Sequence, residues 1–427
     1  MRGANAAGPG FGVRSRNRDD DCHETMTIAK APDRRFHAVA AGFLGWTMDA
    51  FDFFVVVFLV DTLALRFGVP KKDIVWSMTA TLAMRPIGAV LFGLLADRYG
   101  RRVPLMINLV FFSTIEVACG FAPNYATFLV LRALFGIGMG GEWGVGASLA
   151  MESAPRKWRG LLSGVLQSGY SIGYLLAAVA ARVVLPAWGW RAMFWVGGLP
   201  ALLALYVRWH VPESEAWKQH RAPTWAAFGG TVRRFLPRLG YLVALMTMMM
   251  FLSHGTQDLY PDFLKIEHGI APPRVAEIAI LYNVGAVLGA VMFGHLSERI
   301  GRRYSMACAL ALSLCVLPLW AFGAALAVLV PAAFLMQMGV QGAWGIIPAH
   351  LNELAPDQAR GLVPGLAYQL GILFASPVNT IEYALRDRIG YGAALAVFEA
   401  ATILVLGALV LMGSEHRGRH FVAEVPG

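Results

Sequence analysis

The sequence predicts an all-α membrane protein, with twelve transmembrane helices in two pseudo-symmetric six-helix bundles. Three observations carry this prediction. Hydrophobic residues make up 57% of the 427 and fall in continuous runs of about 20, the length that crosses a bilayer core. Lys and Arg gather in alternate loops between those runs. The second half of the chain repeats the first at a fixed offset of 201 residues.

Taken in order, residues 1–35 are hydrophilic and contain Asp19, Asp20 and Asp21, with no apolar stretch beside a small-residue cleavage site. They read as a disordered cytoplasmic tail, in which Met26 offers an alternative start. Spans follow near 37–64, 74–97, 103–122, 125–152, 161–184 and 191–211, then near 239–264, 274–297, 304–323, 326–352, 363–385 and 391–412. Residues 36–211 thus form one six-helix half and 239–413 the other, with a cytoplasmic linker at 212–238 and a C-terminal tail at 414–427. Basic clusters stand at Arg98, Arg101 and Arg102; at Arg156, Lys157 and Arg159; along the linker; at Arg299, Arg302 and Arg303; and at Arg417 and Arg419. The loops after the third and ninth spans carry no Lys or Arg, so both termini are expected on the cytoplasmic side of an inner (plasma) membrane.

Composition also excludes several functions. A net charge of +9 would suit nucleic acid, but these cations sit in short inter-span clusters and read as topology signals. Cys119, Cys308 and Cys315 lie in apolar runs and Cys22 in the polar tail, with no CxxC pair or ligand cluster, so neither a disulfide nor a metal is implied. No G-x-S-x-G, Walker loop or metal-spaced His pair appears, and no cofactor is expected; the chain reads as neither an enzyme nor an ATP-driven pump. The run Gly136-Ile-Gly138-Met-Gly140-Gly141 satisfies G-x-G-x-x-G but lies inside an apolar span, where close helix packing explains it. The Met and Trp residues read mostly as lipid-facing or packing groups.

The repeat is detailed. Gly93-Leu-Leu-Ala-Asp97-Arg98-Tyr-Gly100-Arg101-Arg102 recurs as Gly294-His-Leu-Ser-Glu298-Arg299-Ile-Gly301-Arg302-Arg303, and Glu152, Pro155 and Arg159-Gly160 recur as Glu353, Pro356 and Arg360-Gly361. The residues Asp97, Arg98, Arg101, Arg102, Glu152 and Arg159, with their copies Glu298, Arg299, Arg302, Arg303, Glu353 and Arg360, are expected to form a gate. Their ion pairs would close one conformation and release in the other. Charge placed in one half only marks other positions: Arg85 answers to Ala286, Arg132 to Ala333, Glu142 to Ala343, and His254 and Asp258 to Phe53 and Val57.

An ionisable group at mid-span costs about 2.5–3.5 kcal/mol on insertion scales, so each needs a partner, water or a task. Asp49 and Asp52 are three residues apart on one helix face, where like charges raise the proton affinity of at least one. They carry a proton or form an ion pair with Arg85. Arg85 sits mid-span, and its planar guanidinium suits bidentate capture of a carboxylate. Arg132 and Glu142 share the fourth span; Arg132 is the alternative to Arg85 for holding the carboxylate and Glu142 a candidate for proton coupling, or the two bridge one another. His254, Gln257 and Asp258 cluster in the seventh span, with His254 and Asp258 one turn apart, an arrangement suited to proton exchange near neutral pH. Gln167, Tyr282, Asn283, Asn379 and Glu382 are further candidates to line the same cavity.

The G-x-x-x-D-R-x-G-R-R loop and its copy resemble the major facilitator superfamily. So do Arg132-x-x-x-Gly136-x-Gly138, the E-x-x-P-x-x-x-R-G joints and Pro212-Glu213-Ser214. Within it, Trp46-Thr-Met-Asp49-Ala-Phe-Asp52, Gly140-Gly-Glu142-Trp-Gly144 and Ser253-His254-Gly-Thr256-Gln257-Asp258 resemble the sialate/lactate-type proton symporters. The resemblance implies that Arg132 assists proton transfer. It also implies proton-coupled uptake of a small organic anion, such as lactate, pyruvate or sialic acid, by a monomer in the lipid bilayer. The rival readings are proton-driven efflux of an amphipathic compound and a nutrient sensor that does not transport. Gly169-Tyr170 stands where antiporters of the superfamily usually carry Gly-Pro, which favours uptake.

Overall fold

The computed structural model describes residues 34–222 and 224–422; the expected N-terminal tail and Cys22 lie outside the described residues. The first half contributes α1 (Arg34–Phe67), α2 (Lys71–Tyr99), α3 (Arg102–Cys119), α4 (Tyr125–Ser153), α5 (Arg159–Val196) and α6 (Pro200–His210). After α7 (Glu215–His220) come α8 (Trp225–Gln257), α9 (Tyr260–Ile266), α10 (Pro272–Ile300), α11 (Arg302–Phe322) and α12 (Leu326–Trp344). The chain closes with α13 (Ile347–Leu354), α14 (Val363–Ala375), α15 (Val378–Ile389) and α16 (Tyr391–Met412), and no strand occurs among the described residues.

Nine helical segments among the described residues are long and apolar enough to cross a membrane. The remaining three expected spans map to α1, to the part of α5 beyond its kink together with α6, and to α14 with α15. The kink is at Gly189, whose φ of 76° only glycine adopts readily, three residues after Pro186. The fifth span runs through it into the first residues of the sixth, up to Val196, and α6 supplies the rest. The segment read as a linker is partly helical, since α8 starts at Trp225 rather than near 239.

The sequence repeat is also a repeat of backbone. α10 begins and ends 201 residues after α2, and the three-residue 3-10 turn Arg156–Trp158 returns as Asp357–Ala359. Helix pairing repeats too: α2 lies along α4 as α10 lies along α12, and α1 along α5 as α8 along α14. The halves meet through α5 on α10 and α2 on α14, positions related by the same offset.

Prolines make the halves differ. α8 ends before Pro261, α12 before Pro348 and α14 before Pro377, and each interruption falls where proline removes a backbone donor. The corresponding first-half residues, Val60, Ala147 and Leu176, leave α1 and α4 unbroken and α5 continuous as far as its kink at Gly189.

Close approach explains the Gly-rich run of α4. A Cβ at Gly140 would fall on the Arg85 carbonyl and one at Gly136 on the Thr81 carbonyl, so α2 and α4 touch backbone to backbone. Their contact fixes where Arg85 emerges.

Candidate functional site

Arg85 is the middle residue of α2 and is 3% exposed. Its Nε and Nη2 have no hydrogen-bond partner among the described residues. It lies within electrostatic reach of Asp49 and Glu142 in its own half and of His254 in the other. The guanidinium stands 5.9 Å from the centre of the Tyr368 ring on α14, at the limit of cation–π attraction. Tyr368 stacks on Trp143 at 4.3 Å and meets Trp46 and Trp344 edge-on, while Trp46 stacks on Tyr170. These three tryptophans are buried, the packing side of the two readings the sequence left open for them. They form an aromatic floor shared by both halves.

Around Arg85 the first half buries four carboxylates against two guanidinium groups. Asp49, Asp52 and Glu142 have no hydrogen-bond partner on either oxygen among the described residues. Glu142 occupies the space that a Cβ on Gly45 would fill, so α1 carries a glycine there. The direct ion pair considered between Arg85 and the Asp49/Asp52 face does not form. Arg132 is not bridged to Glu142 either: its Nη1 donates to Glu116 on α3 at 2.6 Å, both side chains being fully buried. Ten residues along a helix is almost three turns, so Glu142 lies on a different level from Arg132. Glu116 in turn approaches Asp52, since both crowd the space beside Gly197.

In the second half, His254 Nδ1 lies 3.2 Å from Asp258 Oδ2, and Asn379 Nδ2 donates to the same oxygen at 3.1 Å. The proline break places Asp258 at the end of α8, where it caps the helix and faces open space; the His254 and Asp258 side chains are 37% and 35% exposed. Gln257 donates to Gln337 at 2.8 Å, and Gln337 donates to Thr256. Tyr282 lies within electrostatic reach of Asp258. Gln167 lies 3.5 Å from the Trp143 indole nitrogen, against the aromatic floor. Asn283 instead donates to the carbonyl of Ala279 on its own helix, which turns it away from the site.

The expected gate residues assemble at the face that carries the basic loops. Asp97 accepts from Arg101 at 2.5 Å and from the backbone N–H groups of Gly361 and Leu362, at 2.8 and 3.0 Å, at the start of the opposite half's α14. Its copy Glu298 accepts from the N–H of Gly160 at the start of α5. Each half therefore places a carboxylate on a helix N-terminus of the other, where free N–H groups and the helix dipole favour negative charge. Arg101 also holds Glu152 at 2.9 Å, and Arg302 holds Glu353 at 2.9 Å. Arg159 does not join Glu152; it crosses to Glu353 at 3.2 Å. Arg360 lies 4.0 Å from Glu152 and pairs with Asp357. Burial opposes the charge of Arg101, but Glu152 and Asp97 outweigh it and hold the guanidinium above its ordinary pKa. Burial pushes Arg360 down to about 10, against Glu152 and Asp357, so both arginines stay charged at any physiological pH.

The remaining basic-loop residues act beside this core. Arg98 donates to the Ala222 carbonyl, Arg102 to that of Arg208 and Arg303 to that of Val410, and the Arg299 carbonyl accepts from Arg417. Glu213 and Glu415 cap α3 and α11 through the N–H groups of Arg101 and Arg303, at 2.8 and 3.0 Å. The segment after α16, read from the sequence only as a basic tail, docks back on this face through Phe421 and Arg419. Phe421, 3% exposed, lies between the guanidinium groups of Arg159 and Arg360, 3.8 and 3.9 Å from its ring centre. Arg419 ties the segment to Asp357 and to the carbonyls of Glu353 and Ala355.

Over residues 42–376 the chain matches the family model described as the Major Facilitator Superfamily. It is 32% identical to the carboxylic acid transporter protein homolog of Saccharomyces cerevisiae, across 90% of this chain and 69% of that one. It is 28% identical to the sialic acid transporter NanX of Escherichia coli, across 88% of this chain and 94% of that one. Among solved structures, the proton:xylose symporter XylE matches with a TM-score of 0.73 at 20% identity, covering 91% of this chain and 97% of that one. That likeness is one of fold.

Proposed function

We propose that this chain, which belongs to the major facilitator superfamily and is a multi-pass membrane transporter rather than an enzyme, takes up a small organic monocarboxylate together with protons. The observation that carries this reading is Arg85: a buried guanidinium at the middle of its helix, with donors left open, facing titratable groups of both halves. A carboxylate is the anion whose geometry fits that fork. The names of the yeast and Escherichia coli relatives point to the same cargo chemistry.

Proton coupling follows from charge. Asp49, Asp52, Glu116 and Glu142 face Arg85 and Arg132, so full ionisation would leave two uncompensated negative charges in the interior. An unpaired buried ion costs several kcal/mol, and a proton is the simplest relief. In this reading Glu116, held by the permanently charged Arg132, passes protons to Asp52; Asp49 and Glu142 answer to the cargo on Arg85, and His254 with Asp258 exchanges protons from the open side. Each 100 mV of membrane potential then adds about 2.3 kcal/mol of driving force per net charge carried inward.

Alternating access rocks residues 36–211 against 239–413 about this site. By the positive-inside rule the latched face and both termini are cytoplasmic, so the conformation described here opens outward. Uptake of lactate, pyruvate, sialic acid and benzoate into proteoliposomes under an imposed pH gradient tests the reading. Gradient-dependent accumulation of at least one acid is expected; accumulation of none would overturn it.

A further inference from the structure

Glu382 on α15 and Glu399 on α16 stand apart from the Arg85 site. They are 1% and 0% exposed, and none of their four oxygens has a hydrogen-bond partner among the described residues. Both carboxylates converge on one point. The place a Cβ on Gly255 would take is filled by an oxygen of Glu399, and an oxygen of Glu382 lies 3.1 Å from that same Cβ position, with the Phe398 ring alongside. α8 admits them because it carries glycine there, next in sequence to His254. The equivalent first-half residues are Ala181 and Gly198, so this pair, like Arg85, exists in one half only.

No cation answers them among the described residues. The charge that acts on Glu399 is Glu382, and the charge that acts on Glu382 is Asp258, itself engaged by His254 and Asn379. On α15, Arg386 pairs with Asp387; on α11, which packs against α16, Arg302 is taken by Glu353 and Arg303 by the Val410 carbonyl. α14 brings no charged side chain to α8. Two adjacent carboxylates in an apolar pocket are relieved together by one proton, because an acid O–H donating to a carboxylate is among the strongest hydrogen bonds.

We propose that Glu382 and Glu399 form a separate proton site, in which one exchangeable proton is shared between two carboxylates beside the His254–Asp258 pair. The site deepens the symport reading and rests on it for its role in coupling, though not for its existence. Asp258 links the two: a change in its charge is felt at Glu382.

Infrared difference spectroscopy of the purified protein in liposomes at neutral pH reads the proton without any transport. Glu382→Gln and Glu399→Gln should each remove the same protonated-carboxyl band, and the double variant should remove one such band, not two. No band lost, two independent bands lost, or a band abolished on replacing potassium with sodium would each overturn the proposal. Gln preserves shape, and an unchanged size-exclusion profile establishes that the variants fold. Under a gradient of one pH unit, each coupled proton multiplies accumulation about ten-fold. The double variant should therefore accumulate lactate about ten-fold less than wild type, with counterflow at zero gradient retained; unchanged accumulation would overturn the coupling role. Should wild type accumulate no acid at all, the symport reading falls while the infrared result still decides the proton site.

Discussion

Two sets of buried charges in this molecule are equally hidden from water and differently satisfied. At the basic-loop face each carboxylate has donors: Asp97 has Arg101 and two backbone N–H groups, Glu152 has Arg101 and Ser214, and Glu353 has Arg302 and Arg159. At the centre, Asp49, Asp52, Glu142, Glu382 and Glu399 have none among the described residues. Saturated charges hold a shape. Unsaturated ones leave free energy to be recovered when a proton or an anion arrives.

The contrast breaks most readily at Arg85. Replacing it with alanine should lower counterflow of the transported acid about 30-fold or more, in line with the 2–5 kcal/mol lost when one partner of a buried charged pair is removed. Size-exclusion behaviour should not change. Normal counterflow in this variant would mean that the centre holds its charges for structure alone.

Arg101→Ala comes next. It strips a partner from both Asp97 and Glu152, which should cost the latched conformation about 3–5 kcal/mol. Ser163 lies under the latch, where its hydroxyl accepts from the N–H of Ala349 across the two halves. A Ser163→Cys reporter should therefore be labelled markedly faster by a membrane-impermeant thiol reagent when Arg101 is replaced. Labelling that does not respond to Arg101 would show that helix packing, not charge, keeps this face shut.

Phe421→Ala removes two cation–π contacts, each of about 0.5–2 kcal/mol, and should raise labelling of the same reporter by a smaller factor. The least effect is expected at Asn283, whose amide serves its own helix: alanine there should alter uptake less than about two-fold, a change below 0.5 kcal/mol. A large loss at Asn283 would redraw the boundary of the centre.

The latch is legible in the sequence because its parts repeat. Asp97 and Glu298, Arg101 and Arg302, and Glu152 and Glu353 sit at equivalent sites in both copies, and they pair within their copies as the spacing implies. The centre is legible only residue by residue. Spacing along α4 invites a link between Arg132 and Glu142, whereas the partner is Glu116 on α3, because the rotation of one helix against another is set by packing. Glu116 and Glu399 do leave a signal, since each is the lone charge in an apolar run. The aromatic floor leaves none, because a tryptophan in a span looks the same from the sequence whether it faces lipid or the other half. The docking of Phe421 depends on side chains more than 60 and 260 positions away, and no local pattern announces it.

The helix-end carboxylates of the latch also bear on how the transporter meets its surroundings. Asp97, Arg101 and Glu152 have side chains exposed by 1% or less, so dissolved ions cannot enter between them. Debye screening, which weakens attraction between exposed charges over about 8–10 Å, does not reach such contacts. Salt therefore weakens these contacts far less than it weakens exposed ion pairs, and the hold on this face owes more to the protein than to the ionic strength of the water around it.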